Sequence, residues 1–459
     1  MPLWTWSELS LACAVDAPVT GPDINGISID TRSLKPGDLF IALSGDPWPR
    51  FSSAIINARD GHEFIEAAES AGAAGLMVSE ESASALPQLN VSNTLDGLWR
   101  IGQAGRERMG GKVVGITGSS GKTTARSWLE DILSRQAKTH ASTGSLNNHW
   151  GVPLSLARMP ADSEFGIFEI GMNRPGEIEP LSRLVIPDVA IVMNVLPAHL
   201  GNFQHINEIR NEKLSITQGL REGGTLVTHE EIDMRGLPQR LQHSNIVTFG
   251  LSQSATVAGE VSYEQGNSHV SVMIAGNRYS FKLSVGGEHR VLTSLACLAA
   301  VYALGADLAQ ACELLPQLQA PGGRGNLLEV SGRIIIDDSY NANPVSMKFA
   351  LEALSLVPQG RKIALLGEML ELGESGKAAH RAMIESCRSL DGVLTFGEGF
   401  KGAEDTLGNI HWGHYSSVAE LNLNELAGKL EVGDTILIKG SNKIFWVNKF
   451  VEALCAVLH

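Results

Sequence analysis

Lys112-Val-Val-Gly115-Ile-Thr117-Gly118-Ser119-Ser120-Gly121-Lys122-Thr123-Thr124 passes from an apolar, β-branched run into a glycine-rich turn and then a helical pattern starting at Lys122. From Gly115 the spacing is GxxxxxGKT with Gly118 inside it, the form of a phosphate-binding loop between a strand and a helix. Each residue type has a chemical reason. Glycines let the backbone curl until several N–H groups point at the same phosphate oxygens, and the following helix aims its positive end at that charge. Lys122 can then reach the β- and γ-phosphates, and the Thr123 hydroxyl can ligate Mg²⁺. An isolated GKT would be a solvated helix start. The complete loop with both flanking elements implies ATP or GTP, with Thr117, Gly118, Ser119, Ser120, Gly121, Lys122, Thr123 and Thr124 as candidate contacts.

Outward from this loop, short apolar runs keep ending in Gly, Asp or Asn ahead of helix-like stretches. Phe165–Ile170, Asp188–Val195, Arg333–Asp337, Lys362–Gly367 and Thr435–Lys439 read as further buried strands beside Lys112–Thr117. Strands alternating with helices predict doubly wound, mostly parallel α/β sheets with ligands at the strands' carboxyl ends. Turn-rich segments near 90–110 and at Ala320-Pro-Gly-Gly-Arg-Gly-Asn326 divide the chain. The expected domains are a smaller N-terminal α/β domain (1–95), a central phosphate-loop domain (96–319) and a C-terminal Rossmann-like α/β domain (320–459), with 320–326 as a hinge.

Composition limits the function. The 459 residues contain 43% hydrophobic and 19% charged residues, as in ordinary globular proteins. A net charge of −14 argues against nucleic acid as a partner, since phosphate backbones need clustered Lys and Arg. Five scattered cysteines, without CxxC, fit reduced core thiols. The start MPLWTWSELS lacks a secretory pattern, and Val291–Ala306 is short for a membrane span, so it reads as a buried core helix. A cytoplasmic protein without membrane insertion is expected.

Other chemistry-bearing residues follow the strands. Glu169 closes a buried apolar run where a carboxylate would face the loop on the neighbouring strand, and Mg²⁺ prefers such oxygens. His199, in Asn194-Val-Leu-Pro-Ala-His199, is by itself more often a hydrogen-bonded structural histidine. Lys213 beside Glu212 would ordinarily be a surface side chain, and Asp338-Ser-Tyr-Asn-Ala-Asn-Pro344 suits an Asx-rich turn.

The strings TGSSGKTT, LNNHWGVPLSL, FEIGMNRPGEI, NVLPAHL, DDSYNANP, LGEMLELG and IKGS occur in that order along the chain. In this it resembles the Mur ligase family over essentially its whole length. It is most similar to the branch that adds D-alanyl-D-alanine (D-Ala-D-Ala) to UDP-N-acetylmuramoyl-tripeptide (UDP-MurNAc-tripeptide). The resemblance implies a monomeric ATP- and Mg²⁺-dependent amide-bond ligase acting through an acyl phosphate. Its catalytic set would be Lys122, Lys213, His199, Glu169 and Arg324. Thr123, Glu169, His199 and a CO₂-carbamylated Lys213 would serve the metals. Arg324 would approach the γ-phosphate, with Asp338 and Asn341 on the ribose side. Asp30, Thr31 and Arg32 resemble the segment accepting UDP, although a strand–turn–strand element also explains them. Asn147 and Asn148 would line the peptide path, and Lys439, Gly440 and Ser441 the acceptor side. Leu366–Gly373 with His380 would frame the dipeptide pocket.

The Asp-Asn-Pro-Arg string of the diaminopimelate-adding relative is absent. Three features depart from the family: Gly287-Glu-His289-Arg290 carries Arg where Asn is usual, Asn442 replaces an arginine, and Asp46–Arg59 is extra. Arg290 puts one nucleotide-side contact in question. Rival readings are another Mur ligase, a folylpolyglutamate-type synthase, or a phosphate-loop regulatory NTPase.

Overall fold

The structure, a computed structural model, describes residues 2–15, 20–44, 60–197, 202–203, 205–235, 237, 245–264, 267–283, 287–357 and 359–459. The extra Asp46–Arg59 stretch lies outside the described residues, as does His199.

Three sheets follow one another along the chain. The first has four parallel strands in the order β1-β2-β3-β4: Gly26–Ser28 (β1), Asp38–Ile41 (β2), Gly75–Val78 (β3) and Gln88–Asn90 (β4). The central sheet contains Lys112–Thr117 (β5), Thr139–Ala141 (β6), Phe165–Glu169 (β7), Val189–Val192 (β8), Thr225–His229 (β9), Asn245–Gly250 (β10), Val257–Glu264 (β11), Asn267–Ile274 (β12) and Asn277–Leu283 (β13). Its order is β13-β12-β11-β10-β9-β8-β5-β7-β6, parallel from β6 to β11 and antiparallel through β12 and β13. The third sheet comprises Asn326–Val330 (β14), Arg333–Asp338 (β15), Lys362–Gly367 (β16), Gly392–Phe396 (β17), His411–Tyr415 (β18) and Thr435–Lys439 (β19). Its order is β14-β15-β19-β16-β17-β18, and only β14 runs antiparallel to its neighbour.

The expected strands are present, two of them shorter than read. Phe165–Ile170 ends at Glu169, and Asp188–Val195 contracts to Val189–Val192 because Asn194 leaves the ladder to hold the phosphate loop. Alternate residues of a strand point to opposite faces, and the parallel strands β5 and β16 send theirs into a core cluster on each side. Val113 belongs to one central core cluster with Phe168 and Leu181, whereas Val114 joins the other with Leu129 and Leu295. In the third sheet Ile363 and Ala364 divide in the same way. Burying each such Val, Ile or Leu contributes about 1.5–3 kcal/mol, which no polar face could match.

All but the last two residues of the apolar Val291–Ala306 stretch fall in helix Glu288–Leu304, a core element packed against β9, β10 and β11. Among the described residues no helix is long and apolar enough to cross a membrane. The five cysteines are free, four of them buried, and burial pushes Cys13, Cys312 and Cys387 up to about 12, consistent with inert core thiols.

Helix Thr94–Arg108 runs through residues 95 and 96 and joins the first two units. Leu98 and Ile101 enter the N-terminal core, while Arg106 Nε donates to Val185 O at 2.8 Å on the central side. The segment 320–326 leads directly into β14, and the Trp128 indole holds its entrance by donating to Gln319 O at 3.0 Å.

Candidate active site

A cleft of about 1140 Å³ opens where the central and C-terminal sheets present their carboxyl ends to each other. Ser119 to Thr124 form one wall. Gly121 occupies the left-handed region at φ 81° and caps helix Lys122–Ser134, a conformation that costs a side-chain-bearing residue energy. The Asn194 carboxamide fixes the loop's curl, with Oδ1 accepting from the N–H groups of Ser119 and Ser120, both at 3.0 Å. Its Nδ2 returns a bond to Ser120 O at 3.1 Å. Lys122 Nζ donates to Gly118 O at 2.8 Å. Burial lowers the Lys122 pKa; the Glu169 carboxylate opposes this shift and the nearby Arg324 cation adds to it. Thr117 is fully buried beneath the loop, its hydroxyl without a protein partner, so it supports the cleft floor instead of lining it.

On the adjacent strand end, Glu169 Oε2 accepts from the Thr123 hydroxyl at 2.8 Å and Oε1 from Asn147 Nδ2 at 2.7 Å. The carboxylate is thus oriented from two sides, and 1% of its residue surface is exposed. A hydroxyl and a carboxylate oxygen this close form a hard donor pair that fits Mg²⁺, an ion that keeps several waters and shares phosphate oxygens. Among the described residues there is no cluster of three or more His, Cys, Asp or Glu suited to a metal. The expected contribution of His199 falls outside the described residues.

Lys213 lies on helix Ile206–Leu214, 2% exposed, with Nζ 3.9 Å from Met172 Sδ. It is a buried lysine and not the surface side chain that its helical context suggested. Burial first, and the Lys122 charge second, push its pKa well below the ordinary lysine range; neighbouring Glu212 opposes both. Glu212 itself accepts from the backbone N–H groups of Gly176 and Ile178, each at 2.8 Å.

The C-terminal domain forms the opposite wall. Arg324 enters the cleft from the hinge, donating to Ser145 Oγ at 3.3 Å and lying 4.1 Å above the Tyr340 ring. Asp338 and Asn341 line the cleft, and Lys439 fastens both by donating to Asp338 Oδ2 at 2.6 Å and to Asn341 O at 3.1 Å. Lys439 therefore braces the Asp338–Asn341 segment. Ser441 lines the cleft with a buried hydroxyl that lacks a protein partner, while Gly440 packs behind it against Gly367. Asn148 also lines the cleft, and its Oδ1 receives Gly151 N–H at 2.9 Å at a helix entry.

Not every expected residue gathers here. Asp30, Thr31 and Arg32 follow β1 in the N-terminal domain and do not line the cleft; Arg32 pairs with Asp30 at 2.6 Å. That hydrogen bond is the main reason the Asp30 pKa falls. In the Leu366–Gly373 loop, Leu370, Glu371 and Leu372 reach the cleft. His380 does not line it. Its Nε2 accepts Met369 N–H at 2.9 Å, which leaves the Nδ1 proton for Gly376 O at 2.7 Å, and so it holds the loop from behind.

Ser145, Asn194 and Tyr340 belong to the site but were not singled out as candidates from sequence. Asn194 left one signal, a polar amide directly after a buried strand.

Arg290 also lines the cleft, 8% exposed, with Nη2 donating to the hinge carbonyl of Gly325 and with Asp338 as its neighbouring countercharge. The departure at this position thus ties the central domain to the hinge. A hydrogen bond from a charged donor contributes about 1.5–3 kcal/mol. Arg290→Asn is therefore expected to speed hydrogen exchange across residues 320–326 by about tenfold or more while leaving β5 unaffected. Unchanged protection at the hinge would contradict this role.

Residues 116–301 match the Mur ligase middle domain, and residues 323–442 match the Mur ligase glutamate ligase domain. The UDP-N-acetylmuramoyl-tripeptide–D-alanyl-D-alanine ligase of Bacillus subtilis (strain 168) is 33% identical over 431 residues, covering 91% of this chain and 90% of that protein. A crystal structure of MurF from Acinetobacter baumannii superposes with a TM-score of 0.85 at 29% identity, covering 99% of this chain and all of that one. MurF ligase from Thermotoga maritima, solved in complex with ADP, gives 0.79 at 27% identity, over 94% of this chain and 97% of that one. Fold, cleft and these matches define an ATP-dependent ligase that forms peptide bonds. The chain belongs to the Mur ligase family.

Proposed function

We propose that the chain uses ATP to join D-alanyl-D-alanine to the carboxyl end of UDP-N-acetylmuramoyl-tripeptide, acting as a cytoplasmic monomer in peptidoglycan precursor synthesis. The observation carrying this reading is one continuous cleft shared by the phosphate loop, Glu169 and the C-terminal residues Arg324, Asp338 and Ser441. Relatives alike over most of the chain bear the name of this reaction. Three domains divide the work in this reading. Residues 1–95, with Asp30, Thr31 and Arg32, take the UDP end; 96–319 hold ATP; 320–459 close over it and carry the acceptor side.

In the proposed reaction the peptide carboxylate attacks the γ-phosphorus, ADP departs, and an acyl phosphate forms. The dipeptide amine then attacks the acyl carbon and inorganic phosphate leaves. Lys122 and Arg324 offset the negative charge of the transferring group. Thr123 and Glu169, with His199 and a carbamylated Lys213, would hold Mg²⁺, which when bound neutralises phosphate charge. Asn147 keeps the Glu169 carboxylate aimed, and Asn148 borders the peptide path. Lys439 holds Asp338 and Asn341 for the ribose, and Gly440 lets Ser441 approach the acceptor. Closure of the hinge excludes water from the acyl phosphate.

Phosphate release from ATP, measured with each substrate omitted in turn, tests the reading. Release is expected only when both UDP-tripeptide and D-Ala-D-Ala are present. Replacing the dipeptide with glutamate or diaminopimelate should give no product. Turnover with such an acceptor would point to another ligase of the family or to a folylpolyglutamate-type synthase. Release needing neither substrate would leave a regulatory NTPase.

A further inference from the structure

We propose that Ser145 and Tyr340 are positioning residues that hold Arg324 across the domain boundary, facing the phosphate loop. This rests on the reading that Arg324 meets the transferring phosphoryl group.

Arginine has a long side chain with many rotamers, so its direction in a cleft must be set by neighbours. Here two neighbours converge on it and bond to each other. The Arg324 guanidinium carbon stands 4.1 Å over the Tyr340 ring, the geometry in which a cation is attracted to a π face. Its Nη2 donates to Ser145 Oγ at 3.3 Å, a long bond that by itself would fix little. The Tyr340 hydroxyl donates to the same Ser145 oxygen at 3.0 Å. Ring, hydroxyl and guanidinium therefore close a small circuit in which each member restricts the other two.

The circuit is anchored on both sides. In the C-terminal domain the Trp446 ring meets the Tyr340 ring edge-on at 5.4 Å. Tyr340 N–H donates to Gly323 O at 3.0 Å. Gly323 has φ 70°, and a Cβ there would lie 2.8 Å from Trp446 and 2.9 Å from Tyr340 Cβ, so the turn before Arg324 is packed directly against this aromatic pair. In the central domain Ser145 lies two residues before Asn147, whose amide orients Glu169. One short loop thus touches both the cation arriving from the hinge and the carboxylate beside the phosphate loop. Arg324 is thus held from both sides of the boundary, by Tyr340 of the C-terminal domain and Ser145 of the central one.

The test is a set of double-mutant cycles in the full-length enzyme, read as kcat and KM from phosphate release in the complete reaction. Arg324→Ala is expected to lower kcat by about 10³-fold. Tyr340→Leu, which removes ring and hydroxyl, should lower kcat by about 10- to 100-fold, the scale of a misplaced catalytic group. Tyr340→Phe and Ser145→Ala should each cost less, about 3- to 10-fold, with KM for ATP and both other substrates changed by less than about threefold. In the Arg324→Ala background none of these should lower kcat further. Equal losses with and without Arg324, or losses confined to KM, would overturn the positioning role while leaving Arg324 at the phosphate. An Arg324→Ala enzyme with unchanged kcat would instead remove the reading beneath it, and the proposal with it. Should Tyr340→Leu fail to fold, Tyr340→Phe and Ser145→Ala keep the cycle complete.

Discussion

Lys122→Ala is expected to lower ATP-driven peptide-bond formation by at least about 10³-fold, or ~4 kcal/mol of transition-state stabilisation, with the fold retained. The lysine emerges from the first turn of helix Lys122–Ser134 and already lies over the loop, bonded to Gly118 O at 2.8 Å. Glu169 and Arg324 are close enough to shift its titration in opposite directions. Three charged groups therefore surround one small space, and removing Lys122 takes away the cation that rises from the phosphate loop itself. The stability consequence has the opposite sign from the activity consequence. Burial lowers the lysine pKa in the folded state, so at neutral pH the charged form favours the unfolded chain. Alanine removes that penalty, and the melting temperature of Lys122→Ala should equal or exceed that of the parent. Calorimetry together with the phosphate-release assay reads both effects. Loss of activity accompanied by a fall in melting temperature would mean that the lysine serves the fold instead.

The phosphate loop was legible because its chemistry is local: thirteen consecutive residues contain the strand, the turn and the helix start. The buried strands β5, β7, β8, β15, β16 and β19 were legible for a related reason, since strands covered on both faces become continuous apolar runs, whereas the equally buried β3, β9 and β17 were not read. Strands β11 to β13 lack that mark. Their burial alternates, with Val270, Val272 and Ile274 inward between exposed or half-buried neighbours, as in an edge extension half open to water. The boundary expected near 90–110 falls at a helix start, because Asn93 is a helix cap, accepting Asp96 N–H at 3.0 Å, and caps use the same residues as turns. The partnership of Ser145 with Tyr340 left no local trace at all. Ser145 and Tyr340 are 195 positions apart, and each alone is an ordinary polar residue in a loop. Lys213 misled for the converse reason, because a lysine beside a glutamate on a helix reads as solvated until packing buries it.

Replacing Lys213 with methionine, close in length and apolar, is expected to lower kcat by about 10²-fold or more while preserving or raising thermal stability. The side chain is 2% exposed and touches the Met172 sulfur, so methionine should fit the space. If Lys213 were only a core-filling residue, Lys213→Met would work as well as the parent. The proposed carbamate explains why it should not. Carbamylation needs a neutral amine, and burial together with the Lys122 charge depresses this lysine's pKa well below the usual lysine range. The sign follows directly: the neutral amine is present above that depressed pKa and is lost as pH falls through it. Activity should therefore decline on acidification and on stripping CO₂ from the buffer, and bicarbonate should restore it. Lys213→Ala leaves a space in which formate or acetate can place the missing carboxylate, so partial rescue by either anion is expected, with none for Lys122→Ala. Carbon-13 NMR of enzyme equilibrated with labelled bicarbonate should reveal a carbamate signal that Lys213→Met lacks. A fully active methionine variant, or an alanine variant that no carboxylate rescues together with an empty carbamate region, would return Lys213 to a structural role.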